Sequence, residues 1–444
     1  MAADLTTIDA ILKDYYIGPL QEQLNNEVMV LNMFEKAKIT WAGRQGVVPL
    51  HVGRNEGALG GVAFAGEGDT LPTAYNQVTK QMTFTAAYLY GRFQVTGPAI
   101  ASAAKGGTAS FIGALELEMD KLKDDVRNTA DRTAISGHRF AGFLNEHKAT
   151  TGGAGATTTW DFRGDFAKLI TAYTGKGSAV QVRLIDLSNS TLTSSATAYE
   201  YTQGAFTVDL SLADPSTGLI TLLNVDSNGD DVDTTGVANG FAIGLVISDA
   251  ASAALEQQPS GIYRNLGYVD LFNVDRGATA GDATTLQSVV MNMDADNSAN
   301  GAAEDLTLDR MQQMFDAISV TSGMDPDVIM MNPIMRSRYT GLIAENIFKV
   351  ADKATTGDGG FLGLSYGGVP IKSGRQVDNG LMIFLNTKCW KLAVLEDGKF
   401  ADLDGSVLSR VLNNDSWEGF YKWYYNHYCY RPNANGILTG INFA

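Results

Sequence analysis

The chain has 444 residues, 45% of them apolar and 18% charged, with a formal net charge of −16 and two cysteines. That length suggests roughly two to four domains with an ample core, and the composition excludes the disordered and fibrous classes. The acidity excludes broad electrostatic attraction to nucleic acid or anionic membranes, and two cysteines exclude a disulfide framework.

The opening MAADLTTIDA has neither a basic nor an apolar signal region. No run of about 18 apolar residues follows, so the reading is of a chain soluble and intracellular when made. Residues 5–36 carry apolar positions at helical spacing (Ile8, Ile11, Leu12, Tyr15), a break at Gly18-Pro19, and a second helical stretch through Leu24, Val28 and Leu31. Two such short helices cannot bury a core of their own, so this segment reads as an arm.

Residues 46–52 alternate Val48, Leu50 and Val52 against Pro49 and His51. Residues 78–93 place Val78, Met82, Phe84, Tyr88 and Tyr90 on one face and Thr79, Gln81, Thr83 and Thr85 on the other. The pair predicts a long hairpin with one apolar side. Its tip, GRNEGALGGVAFAGEGDTLP (residues 53–72), holds six glycines in 20 positions. A two-stranded hairpin is marginal alone, and a loop of about 20 residues is unusual unless it binds something. The apolar face therefore calls for a partner, with Arg54, Glu56, Glu67 and Asp69 as the polar contacts of the tip.

The strongest helical pattern spans Ala109 to Ser136, where Phe111, Leu115, Met119, Leu122 and Val126 follow steps of three and four as the core face. Gly106, Gly107 and Thr108 offer its start and Gly137 its stop. A rigid spine about 40 Å long is predicted. From about 150 to 300 the chain changes to short strand-like runs (QVRLIDL, AFTVDLSL, GLITLLNV, FAIGLVIS) separated by turn residues, which predicts a β-rich insertion. Beyond 300 come a helix from Thr307, a buried strand Val328 to Met331, and a helix opened by Asn332-Pro333. Strands GVPIKSG, LMIFLN and KLAVLED follow, then an aromatic strand from Trp417 to Tyr430 and a tail, GILTGINFA.

Catalytic and ligand motifs are weak. The glycine tip lacks a third glycine at the spacing of a dinucleotide loop and leads into a strand, and TGKGS (Thr174 to Ser178) fails the P-loop pattern. GLSYG (Gly363 to Gly367) fits G-x-S-x-G, with His427 downstream and Asp378, Asp402 or Asp404 between. A nucleophile elbow needs a strand before the serine and a helix after it, and GGVPI follows instead; a glycine-rich turn between a helix and a strand is the favoured reading. Asp226, Asn228 and Asp230 begin like a calcium loop, but Asp231 and Val237 stand where glycine and glutamate are needed. His427 and Cys429 lack two further zinc ligands, and the cluster Trp417 to Tyr430 has only Lys422 and Arg431 for positive charge, so packing or a subunit interface is the cheaper account. No cofactor or metal is expected, and no constellation supports catalysis.

The ordered set of arm, glycine-tipped hairpin, spine helix, β-rich insertion, helix–strand–helix region and aromatic return strand resembles the major capsid protein of tailed bacteriophages, the Hong Kong 97-type fold also used by encapsulins. Three stretches carry the likeness: LYGRFQVTGPAIASA (Leu89 to Ala103), MDPDVIMMNPIMRSRY (Met324 to Tyr339), and the run from Gly367 to Leu408. The resemblance implies an α+β fold with an N-terminal arm (1–45), an extended loop (46–95), a peripheral domain on the spine helix (96–150), a β-rich insertion and peripheral continuation (151–300), an axial domain (301–400), return strands (401–427) and an axial C-terminal segment (428–444).

It further implies hexamers and pentamers closing an icosahedral shell in the virion, assembled in the host cytoplasm. Separate scaffolding, portal and decoration proteins would be partners, DNA would be touched only non-specifically, and no membrane would be involved. Some relatives cross-link the extended loop through a lysine; none lies between Val47 and Thr79 here, so a non-covalent shell is expected. An acidic inner wall would not trap DNA during packaging. Three alternatives stay open at this point: an encapsulin-like compartment, an α/β-hydrolase using Ser365 and His427, and a β-rich binding protein read from residues 150–300 alone.

Overall fold

The structure is a computed structural model that describes residues 28–37, 41–43, 45–55, 76–98, 108–137, 140–151, 157–162, 179–186, 206–209, 219–223, 243–247, 259–267, 271–274, 286–293, 304–346, 364–402, 408–411 and 414–442, with Arg276 and four single positions between 62 and 70; residues 108–117 and most of 140–247 are described as backbone only. The first half supplies β1 (Glu35–Ala37), β2 (Trp41–Ala42), β3 (Gln45–Gly53), β4 (Val78–Thr85), β5 (Ala87–Thr96) and the long helix α1 (Thr108–Ser136). Six strands follow: β6 (Phe140–Thr151), β7 (Thr157–Phe162), β8 (Ala179–Asp186), β9 (Phe206–Asp209), β10 (Leu219–Leu223) and β11 (Ile243–Ile247). Then come α2 (Ile262–Leu266), β12 (Val289–Asn292), α3 (Leu308–Ser322), β13 (Val328–Met331), α4 (Pro333–Asn346), β14 (Ser365–Tyr366), β15 (Val369–Ser373), β16 (Met382–Leu385), β17 (Trp390–Phe400), β18 (Ser409–Arg410), β19 (Ser416–Cys429) and β20 (Gly436–Thr439).

The spine helix packs on the sheet formed by β1, β17, β18, β19 and β5. Val126, Ala130 and Ala134 recur every four residues on its buried face and meet Tyr421, Trp423 and Tyr425 of β19 in one cluster. The close approach needs a glycine: a Cβ on Gly91 of β5 would stand 2.8 Å from Val126 Cγ2 and 2.9 Å from Leu122 Cδ1. The helix starts and stops where the pattern predicts, and Gly137 adopts φ 34°, donating its N–H to Thr133 O at 2.9 Å.

The second sheet runs β12-β20-β16-β13-β15-β14. Its central strands VIMM and MIFL are buried at every residue because both faces are covered. Ile329, Met331, Met382 and Phe384 meet Met311, Met314 and Ile318 of α3 and Met335 and Tyr339 of α4. Val328, Met330, Ile383 and Leu385 face the cluster that also holds the spine. The caps are those the sequence predicts: Thr307 accepts from Arg310 N–H at 3.3 Å, and Asn332 Oδ1 accepts from Ile334 N–H at 3.0 Å.

The β-rich insertion closes into a six-stranded antiparallel barrel, β10-β7-β6-β11-β8-β9. All four predicted strand runs fall on its strands; β6 and β7 went unread because Gly142, Asn145, Glu146, His147 and Lys148 break the alternation of β6, and β7 opens on a threonine run.

Two expectations are corrected. The helix predicted through Val28 and Leu31 is absent at its described end, where residues 31–34 turn and Glu35–Ala37 continue as a strand parallel to β17. Asp131 of the spine takes the backbone donors a helix would have used, its Oδ1 accepting from Val30 N–H and Leu31 N–H at 2.8 Å each. Phe34 then stacks on Trp390, centroids 5.2 Å apart.

The strand predicted over 78–93 is two strands in two sheets. β4 buries Met82 and Phe84, at even positions; Ala86 and Ala87 are both buried, and β5 then turns Leu89, Gly91 and Phe93 inward, at odd positions. That consecutive alanine pair exchanges the faces, so Tyr88 and Tyr90 point away from the spine, exposed to 52% and 56%.

Candidate intersubunit surface

The hairpin of β3 and β4 is in register from Gln45↔Thr85 to His51↔Thr79 and shifts by one residue before Gly53↔Val78. At its root, the apolar face is covered by its own chain: Leu50, Met82 and Phe84 pack with Val274, Leu286, Ala393 and Tyr428. Phe84 stacks on Tyr428 and tilts against Phe272, both at 5.2 Å, and meets Trp41 edge-on at 5.8 Å. Thr83 N–H donates to Phe272 O at 3.0 Å. The expectation that this face needs an outside partner is therefore corrected for the root, whose cover comes from Phe272, Val274, Leu286, Ala393 and Tyr428, far away in sequence.

The tip differs. Val62 is 67% exposed and Phe64 fully so. Burying a phenylalanine is worth about 1.5–3 kcal/mol, and Phe64 draws none of it within its own chain. Of the four polar residues predicted to serve as contacts, Arg54 and Glu67 are exposed, while Glu56 and Asp69 lie outside the described residues. On the spine, Val126 is buried and Met119 and Leu122 are half-buried; Phe111 and Leu115 fall where only the backbone is described.

A second open surface is the face of β5, β19 and β17 turned away from the spine. Tyr424 sits edge-on to Tyr88 at 5.0 Å and to Tyr90 at 5.8 Å, and the Tyr90 and Tyr424 hydroxyls are 3.0 Å apart. The charges around it are paired: Lys422 and Lys399 both lie 2.9 Å from Glu396, Lys36 lies 2.7 Å from Asp397, and Arg92 bridges to Glu418. Such a wet aromatic face suits a protein partner better than a polyanion.

An asparagine joins the hairpin to both neighbouring regions. Asn426 Nδ2 donates to Thr85 O at 2.7 Å, and its Oδ1 accepts from Ser260 N–H at 3.0 Å and His427 N–H at 2.8 Å. It sits at the exchange point between β4 and β5, where regular ladder bonds lapse. Its only mark in the sequence is that of a polar residue within an aromatic strand.

Ser365 and His427 are not brought together. His427 is fully buried between Phe34 and Tyr425, its two ring nitrogens have no hydrogen-bond partner among the described residues, and burial lowers its pKa to about 3. Ser365 is exposed on β14 in the other sheet, followed by Gly367 (φ 57°) and Gly368 (φ 84°), which make the two-residue turn into β15. The glycine-turn reading of GLSYG thus holds, although the turn joins two strands.

An open groove of about 1260 Å³ beside β3 is walled by Lys36, His51, Arg54, Lys391, Tyr430 and Arg431 among others. Its polar groups hold elements together: Lys391 bonds Glu35, and Arg431 donates to Ser322 O at the end of α3. Among the described residues no cluster of histidine, cysteine or carboxylates could hold a metal, and the loop from Asp226 to Asp233 lies outside them. No helix among them is long and apolar enough to cross a membrane.

No family profile and no curated protein matches the chain. Solved structures do. The chain is similar to the Cyanophage A-1(L) capsid asymmetric unit, at 10% identity and a TM-score of 0.55, covering 99% of both chains. It is also similar to the capsid of a native gene transfer agent particle computed with C5 symmetry, at 9% identity and a TM-score of 0.50, covering 99% of this chain and 98% of that one. At such identities the likeness is one of fold: the chain has the α+β fold of phage capsid proteins.

Proposed function

We propose that this chain is the major capsid protein of a tailed bacteriophage, forming hexamers and pentamers of an icosahedral shell around double-stranded DNA. The observation that carries the reading is the end-to-end likeness of fold to a phage capsid chain, over 99% of both chains. In this reading the β3–β4 hairpin is the extended loop, α1 and the β5–β19–β17 sheet form the peripheral domain, and the six-stranded sheet with α3 and α4 forms the axial domain. Separate scaffolding, portal and decoration proteins complete the assembly.

The hairpin tip is the contact to the next subunit. Its apolar residues Val62 and Phe64 gain burial only there, and Arg54, Glu56, Glu67 and Asp69 of the same stretch supply the polar contacts. Each copy then carries both the tip and the surface that receives it, the head-to-tail arrangement that closes into rings.

Negative-stain electron microscopy of the expressed chain, alone and with its genomic neighbours, tests the reading. Closed shells with five- and six-fold units are expected; a stable monomer under both conditions would remove it. The contents of the shells separate a virus from a cargo compartment, since DNA is expected rather than an enzyme.

A further inference from the structure

The two ends of the inserted barrel meet at one point of the fold. The spine stops at Gly137, and α2 begins after Gly261; a Cβ built on Gly261 would lie 2.5 Å from Gly137 N and 2.7 Å from Ile135 O. Chain leaves and returns through the same two glycines, with 123 residues, His138 to Ser260, between them. Those residues spend their strands on each other: every described barrel strand pairs only with barrel strands, and the ring is closed. A closed barrel has no edge left to pair with a neighbour.

The rest of the fold is complete at the pinch. Ile135 and Ile262, one on each side, are both fully buried in the same cluster as Trp390 and Tyr425. Beside them Asn426 receives Ser260 N–H, and Asn265 Oδ1 receives Cys429 N–H at 3.4 Å. None of these contacts passes through the barrel.

We infer that the barrel is a self-contained module, grafted at Gly137 and Gly261, that shell assembly does not require. The inference rests on the shell reading for the word assembly, but not for the word self-contained. Shell formation belongs to residues 1–137 and 259–444, and the barrel serves a separate purpose on the particle. Its charge is also skewed toward acid: thirteen acidic against six basic residues lie between His138 and Ser260, out of 49 acidic and 33 basic in the whole chain. Nearly half of the net charge therefore belongs to the module and not to the shell wall.

The test joins Gly137 to Pro259 through a two-residue Gly-Ser link in place of 138–258, so that Ser260 stays on Asn426. The shortened chain is expected to keep a cooperative thermal transition and to form shells of the parent's diameter in electron micrographs. Misfolding of the shortened chain, or a folded subunit that does not assemble, overturns the inference. A second form keeps the full chain, with protease sites placed at 138–139 and 254–255 and cut after assembly. Shells that persist as the barrel fragment separates support it; shells that fall apart overturn it. If the unmodified chain forms no shells at all, the shell reading fails while the folding of the shortened chain still decides whether the module is self-contained.

Discussion

The root and the tip of the hairpin both carry large apolar side chains, yet they end in opposite situations. At the root, Phe84 is 3% exposed, enclosed by Tyr428, Phe272 and Trp41 of its own chain. At the tip, Phe64 has no such enclosure. An apolar face announces that it will be covered; it does not say by whom. The answer at the root depends on Phe272, Val274, Leu286 and Tyr428, which only the folded topology brings there.

The largest expected effect sharpens that contrast. Phe84→Ala should destabilise the free subunit by about 3–5 kcal/mol in denaturant unfolding, as for other large-to-small core changes. Acid should act next. His427 is held at about pKa 3 by burial, below its unfolded value of 6.5, so its contribution is full above pH 6.5 and is lost as the pH falls toward 3. The slope is roughly 1.4 kcal/mol per pH unit between those values. A His427→Leu variant should lose that part of the pH dependence; an unchanged slope would place the titration elsewhere.

Asn426→Ala should cost about 1–3 kcal/mol by stranding Thr85 O, Ser260 N–H and His427 N–H in the interior. Phe64→Ala should leave unfolding of the free subunit unchanged within about 0.5 kcal/mol, as for an exposed side chain, while lowering shell yield. Arg54→Glu should do the same with a smaller loss of yield. A Phe64→Ala variant as unstable as Phe84→Ala would erase the distinction between tip and root. Mature particles should run as single subunits on denaturing gels, since the loop between Val47 and Thr79 has no lysine to cross-link.

Much of the fold was legible wherever local pattern and final burial agree. The spine's steps of three and four, the Thr307 and Asn332 caps and the unbroken runs VIMM and MIFL each reflect a local preference that tertiary packing did not overrule. What escaped was decided at long range. Asp131, about 100 residues away, takes the donors of Val30 and Leu31 and replaces helix with turn and strand. Ala86 and Ala87 shift the chain between sheets with no glycine or proline to mark the break. Of the candidate surface, the position of the tip is legible from its glycines, while the exposure of Val62 and Phe64 is not, because an apolar pair in a glycine-rich loop carries no period that says which way it faces.

The most direct test of the account follows position 64 through assembly. Cys389 and Cys429 are both buried, so a Phe64→Cys variant offers one accessible thiol among the described residues. Maleimide labelling of that thiol should be fast in free subunits and strongly suppressed in assembled shells, because the tip is then covered by the next copy. Equal labelling of subunits and shells would contradict the account.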